Sequence, residues 1–209
     1  MTNVTAKSSP SKTIAFAFAG ALALIGGILA ATWFNTPATT RVASGTLLQQ
    51  PRVLPPLSLI DENGQPFDVD QLKNRWTLIF PGFTYCPDIC PTTLALLKNV
   101  QGQLGPKAEK LQVALFSVDP ERDTPERLKE YVHYFSPSFR GVTTPEPNLK
   151  AVAQALGVAY AKVPGATPET YTMDHSAALI LINPRGELAG YFTGPLQAPA
   201  LVADLQQLL

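Results

Sequence analysis

Apolar positions along this chain follow three rhythms. The first is an unbroken run: no residue from Thr13 to Thr40 is charged, and Ile14 to Phe34 shows no polar face. As a helix that stretch is about 31 Å long at ~1.5 Å per residue, close to the roughly 30 Å of a hydrocarbon core. Lys7 and Lys12 precede it, so the short tail is expected in the cytoplasm and the rest outside. A cleaved signal peptide would have a shorter apolar region followed by small residues. Here Ala21 and Ala23 lie inside the run, which favours an uncleaved anchor.

The second rhythm is short apolar runs bounded by turn residues, which read as strands. Leu57 to Phe67 carries Asn63-Gly64 between two extended pieces, a hairpin signal. Trp76 to Phe80, Leu111 to Val118 and Ala178 to Asn183 read as buried strands, with Gly141 to Thr143 a short one and Val158 to Val163 extended. Asn183 to Gly186 is a turn, and Glu187 to Phe192 its hairpin partner. The third rhythm is helical. Pro91 to Leu104, Pro125 to Phe135, Asn148 to Leu156 and Pro199 to Leu209 carry apolar residues at helical spacing, with Gly105 and Gly157 as stops. Strand and helix alternate, then a hairpin and a closing helix follow. That order predicts an α/β domain with a mixed sheet, thioredoxin-like. The expected division is a cytoplasmic tail over 1–13, a transmembrane anchor over 14–34, a polar linker over 35–51 and the folded domain over 52–209.

Charge excludes more than it suggests. Lys+Arg and Asp+Glu are 16 each. Removing Lys7 and Lys12 leaves 16 − 2 = 14 basic residues beyond the apolar run, where all 16 acidic ones remain. No basic block is present, so nucleic acid is not an expected partner. No phosphate-binding glycine loop and no internal repeat appear.

The chemistry concentrates in Phe83-Thr-Tyr-Cys-Pro-Asp-Ile-Cys-Pro91, which holds the only two cysteines. Two are too few for a disulfide scaffold. Each is followed by proline, which biases it toward extended backbone. Pro91 is expected at the first helical position, with Cys90 at a helix N-terminus where the dipole favours thiolate. Cys86 and Cys90 are then either a redox couple or a claw for a soft metal. Thiol–disulfide oxidoreductases place two residues between their cysteines; here there are three. A structural disulfide would close too small a ring to remove much unfolded-state entropy.

Of the two histidines, His133 sits mid-helix and reads as a packing residue. His175 stands just ahead of the Leu179–Ile182 strand, where a thioredoxin-like sheet brings a loop close to the cysteines. Oxidoreductases of this fold carry a cis-proline there, but no proline lies between Pro168 and Pro184. Asp174 adjoins His175, yet neighbours on an extended chain point to opposite faces, so it reads as shaping the loop or the entry path. Two thiolates and one imidazole are too few donors for structural zinc and suit copper, as Cu(I) or Cu(II).

Three separated stretches carry a family resemblance: Gly82 to Pro91, Ser117-Val-Asp-Pro-Glu-Arg-Asp-Thr124, and Asp174-His175. Together they resemble the Sco/SenC family of membrane-anchored copper proteins, from about Leu57 to the C-terminus. The resemblance implies copper ligation by Cys86, Cys90 and His175, with Asp119 near the site. It also implies a part in assembling the binuclear copper centre of cytochrome c oxidase, by delivering metal or by reducing cysteines. Expected partners are that oxidase's copper-bearing subunit, other copper chaperones or thiol reductases, and membrane lipid through the N-terminal helix. The expected location is a single-pass protein with a periplasmic, or equivalent extracytoplasmic, domain. Two departures are Tyr85, where many members carry His or Ser, and Pro81, where an aromatic is common. The competing readings are a thiol–disulfide reductase, a copper or redox sensor, and a peroxidase of the same fold. In the last, Thr84 stands one residue too near Cys86.

Overall fold

The computed structural model describes residues 20–21, 23–27, 42–167 and 170–209. The chain divides into two units, residues 1–39 and 40–209. In the first, 20–21 and 23–27 are helical and exposed. The rest of the expected anchor over 14–34 lies outside the described residues. Among the described residues no helix is long and apolar enough to cross a membrane.

The second unit is built on an eight-stranded mixed sheet. Its strands are β1 (Gly45–Val53), β2 (Leu59–Asp61), β3 (Pro66–Phe67), β4 (Trp76–Gly82), β5 (Leu111–Ser117), β6 (Arg140–Thr143), β9 (Leu179–Ile182) and β10 (Glu187–Phe192). The spatial order is β1-β10-β9-β4-β5-β6-β2-β3. A separate antiparallel pair, β7 (Tyr160–Val163) and β8 (Thr172–His175), completes the strands. The helices are α1 (Ile89–Leu104), α2 (Pro125–Phe135), α3 (Asn148–Leu156) and α4 (Ala198–Leu208).

β4 and β5 are parallel over their whole length, and β5 is parallel to β6, so α1 and α2 are crossover helices. Every residue of β5 is buried, as is every residue of β4 after Trp76. That is the mark of central strands covered on both faces. α1 turns Cys90, Thr93, Leu94, Leu97, Val100 and Leu104 inward, the helical spacing seen in the sequence. Thr124 caps α2 by accepting from Arg127 N–H, and Pro125 holds the first position. Gly157 ends α3 at φ 74°, a left-handed position that suits glycine. Gly64 (φ 72°) serves the β2–β3 hairpin in the same way.

The pattern misled in three places. Gly45–Val53, assigned in large part to the linker over 35–51, is an edge strand paired antiparallel with β10. Its outer residues are exposed, so no alternation marks it. α1 begins at Ile89 rather than Pro91, and Cys90 is helical despite the proline after it. Proline only disfavours that conformation, and Cys90 is fully buried there. His175 ends a strand, β8, rather than lying in a loop.

Candidate metal centre

The site forms at the carboxyl ends of β4 and β5, where parallel strands leave a crevice. The cysteine loop leaves β4 at Gly82. A turn over 119–123 leaves β5. The β7–β8 hairpin approaches with its open end, where His175 pairs with Tyr160. Cys86, Cys90 and His175 come together, with one donor atom from each lying within 4.8 Å of the others. His133 is not among them; it stays in the last turn of α2.

Cys90 sits in the first turn of α1 and Cys86 in the loop before it. Cys90 N–H donates to Cys86 Sγ at 3.4 Å. Cys90 Sγ stands 3.6 Å from His175 Nε2. His175 Nδ1–H donates to Ser176 O at 3.0 Å, which fixes the ring and leaves the Nε2 lone pair facing the sulfurs. The rings of Phe80 and Phe83 stand nearly perpendicular to the imidazole, with centroids 6.2 and 5.9 Å away. Both cysteines are free thiols. Burial pushes the Cys90 thiol well above its usual range, and its hydrogen bond with Cys86 adds to this. The expected dipole effect is therefore outweighed by desolvation, because α1 buries this sulfur completely. Gly82 makes room for it: a Cβ there would stand 3.1 Å from Cys90 Sγ and 3.0 Å from Leu115 Cδ1.

Three donors bound about 2.0–2.3 Å from one ion in a trigonal plane stand about 3.5–4.0 Å apart. The observed set, spread over no more than 4.8 Å, closes on a metal with shifts of up to about 1 Å. Two sulfurs and one neutral imidazole nitrogen suit copper. A metal cation taking the place of the Cys90 proton would offset the cost of burying a lone thiolate.

Of the two outer residues expected from sequence, Asp174 is exposed and makes no hydrogen bond to His175; Ser176 O takes that role. Asp119 is buried and works at one remove. It accepts from Tyr171 OH at 2.7 Å and pairs with Arg122 Nε. Sequence reasoning missed Asp123. This carboxylate is fully buried and accepts from Thr84 N–H (2.9 Å), Thr84 Oγ1 (2.7 Å) and Ser117 Oγ (2.6 Å). It thus ties the cysteine loop to the end of β5. Burial raises its pKa, opposed by the hydrogen bonds from Ser117 and Thr84. The only sequence signal was its place in the 117–124 stretch. Tyr85, the departure beside Cys86, is half exposed and lies over Arg122 and Arg127, at 4.7 and 5.2 Å.

The SCO1/SenC family model matches residues 45–209. This chain belongs to the SCO1/SenC family. The match begins with β1 and covers the whole sheet. A Stutzerimonas stutzeri protein named for copper binding is 42% identical over 169 residues, 80% of this chain and 82% of that one. Bradyrhizobium japonicum ScoI with copper bound superposes at TM-score 0.69 and 36% identity, covering 75% of this chain and 99% of that structure. Copper-bound yeast Sco1 superposes at TM-score 0.69 and 30% identity, covering 75% and 88%. The thioredoxin-like α/β fold with a mixed sheet stands, and the cofactor this family site suits is copper.

Proposed function

We propose that this chain is a membrane-anchored copper metallochaperone. It delivers copper to the binuclear copper site of cytochrome c oxidase, or reduces that site's cysteines beforehand. The observation that carries the reading is the meeting of two sulfurs and an imidazole whose Nε2 faces them with its lone pair. Family membership supports it, as do the related structures with copper bound.

The chemistry assigns roles to the residues. Cys86 and Cys90 supply soft thiolate donors, and the protons they give up go to solvent. His175 supplies a neutral third donor from a separate hairpin. Three protein donors leave one side open, which suits exchange of the cargo with a recipient's cysteines. In the reducing variant, Cys86 and Cys90 give two electrons and two protons to the recipient's disulfide. They end as a disulfide themselves, by way of a mixed disulfide. The apolar run over 14–34 would hold this domain at the outer face of the cytoplasmic membrane, near an oxidase subunit.

The test mixes copper-loaded full chain in detergent with the metal-free copper-bearing subunit of cytochrome c oxidase. The recipient's binuclear centre is followed by its visible absorption. The proposal expects the centre to form from wild type and not from His175→Ala or Cys90→Ser. A recipient that fills equally well from free copper alone, with no effect of the loaded chain on rate or yield, would refute delivery. Reduction of the recipient's disulfide that survives His175→Ala would move the function to thiol chemistry.

A further inference from the structure

His175 is carried by the β7–β8 pair, which forms its own two-stranded sheet apart from the eight-stranded one. A lone hairpin is marginal in water, so side chains must hold it on the body. The densest set of such contacts lies at Tyr171, just before β8. Tyr171 OH donates to Asp119 Oδ1 at 2.7 Å. Arg122 Nε donates to Asp119 Oδ2, and Arg122 Nη1 donates to Tyr171 O at 3.0 Å. The three residues close a ring of hydrogen bonds between the hairpin and the turn after β5.

Two cations also grip the Tyr171 ring. Arg122 Cζ lies 3.6 Å from its centroid and Lys162 Nζ 3.9 Å. Two like-charged heads so close to one centroid cannot share a face, so the ring is held between them. Lys162 belongs to β7, and its Nζ donates to Glu121 Oε2 at 2.7 Å. The Arg122 guanidinium reaches the other arm as well, lying 4.7 Å from the Tyr85 ring and 5.8 Å from the Phe83 ring. Phe83 and Tyr85 flank Thr84 in the cysteine loop. Arg122 therefore touches both the loop that carries the sulfurs and the hairpin that carries the imidazole.

We propose that Arg122, clamped on Tyr171, is the positioning residue that keeps His175 over the sulfurs, so that loosening it opens the metal site from the imidazole side. This rests on the copper reading of Cys86, Cys90 and His175. Tyr171 adjoins the loop end of the hairpin, and His175 stands at the other end of β8. When the clamp loosens, the loop end comes away and the whole of β8 tilts, drawing the imidazole off the sulfurs. Their loop stays tied through Thr84 to Asp123. Soft thiolates alone serve Cu(I) far better than Cu(II). Loss of the clamp thus weakens Cu(II) retention selectively and hastens release to a competing chelator. Arginine is needed rather than lysine, because one planar group both stacks and makes two directed hydrogen bonds.

The test uses the reduced full chain in detergent, as wild type, Arg122→Lys, Tyr171→Phe and His175→Ala. Amide hydrogen exchange is read on the metal-free protein, and release of Cu(II) and Cu(I) to chelators on the loaded protein. For Arg122→Lys we expect exchange at 160–163 and 172–175 to quicken about tenfold, with α1 and β5 unchanged, as loss of one directed charged hydrogen bond implies. Cu(II) release should quicken by about the same factor, and Cu(I) release by less than about threefold. Tyr171→Phe, the milder change, should move both readouts the same way. Added imidazole should restore the wild-type Cu(II) electron paramagnetic signature to Arg122→Lys, because it fills the position His175 leaves. Unchanged hairpin exchange in both clamp variants would overturn the proposal, as would acceleration spread evenly over the domain. Tight copper in His175→Ala would instead overturn the copper reading, while the exchange data would still report on the clamp.

Discussion

Replacing Asp123 with alanine removes one carboxylate and strips three donors: Thr84 N–H, Thr84 Oγ1–H and Ser117 Oγ–H. Each buried donor left unpaired costs about 1–3 kcal/mol. Two features reduce the sum. Ser117 Oγ and Thr84 Oγ1 still accept from Asp119 N–H at 3.1 Å and Arg127 Nε at 3.3 Å, and their O–H groups can rotate toward other acceptors, whereas the Thr84 amide cannot turn and is stripped outright. Burial of the carboxylate also raises its pKa, so part of its hydrogen bonding offsets its own desolvation. The expected loss is about 3 kcal/mol for Asp123→Ala, against about 1 kcal/mol for Asp123→Asn, which keeps an acceptor. Urea unfolding of the full chain in detergent, followed by Trp76 fluorescence, measures both; the slopes should match wild type. Acid supplies a second signature. With the folded pKa raised above the unfolded value of about 3.9, wild type loses stability as pH rises through that window. Its advantage over Asp123→Asn should therefore be largest in acid and shrink toward neutrality. An alanine variant within about 0.5 kcal/mol of wild type would refute the assignment, and so would an advantage that grows with pH.

Three further outcomes follow from the same geometry. Gly82→Ala places a methyl 3.1 Å from Cys90 Sγ; we expect copper affinity to fall about tenfold with stability lowered by only about 1 kcal/mol, and equal affinity would show that the sulfur is free to move. Desolvation raises the Cys90 pKa, so copper affinity measured by chelator competition should rise at least about tenfold per pH unit between about pH 6 and 8, about tenfold for each cysteine proton released, and a flat profile would contradict a protonated Cys90 in the metal-free site. Asp204 accepts from Ala43 N–H, Ser44 N–H and Ser44 Oγ–H; burial pushes its pKa up, but these bonds outweigh it and the net shift is downward. Its stabilisation is present above the unfolded carboxylate value and lost as pH falls through the depressed folded one. Asp204→Asn should therefore cost about 1–2 kcal/mol at neutral pH and nothing in strong acid, a difference that urea midpoints at the two pH values would reveal or deny.

Most of the fold was legible because its central elements obey local rules. β4 and β5 announce themselves as short runs with no exposed face, and α2 and α3 carry a cap, a first-turn proline or a terminal glycine at the right places. β1 was hidden because it is a largely exposed edge whose partner, β10, lies about 140 residues away in sequence. Such a strand is defined by pairing rather than by its own pattern. The three donors could be read because cysteine and histidine are rare here and chemically distinct. Their supporting residues could not. Asp123 reads as a solvated turn residue beside Arg122, and only its tertiary approach to Thr84, 39 residues away, buries it. Tyr171 likewise looks like an isolated aromatic until two cations are found on its ring. The helix start at Ile89 shows the limit of dipole reasoning: the same helix buries the Cys90 thiol, and desolvation pushes its pKa up against the dipole.

X-ray absorption at the copper edge tests the central claim most directly. The copper-loaded full chain should show two sulfur neighbours and one imidazole nitrogen, from Cys86, Cys90 and His175, and His175→Ala should lose the nitrogen while keeping both sulfurs. A shell of oxygen and nitrogen without sulfur, or a spectrum unchanged by His175→Ala, would contradict it.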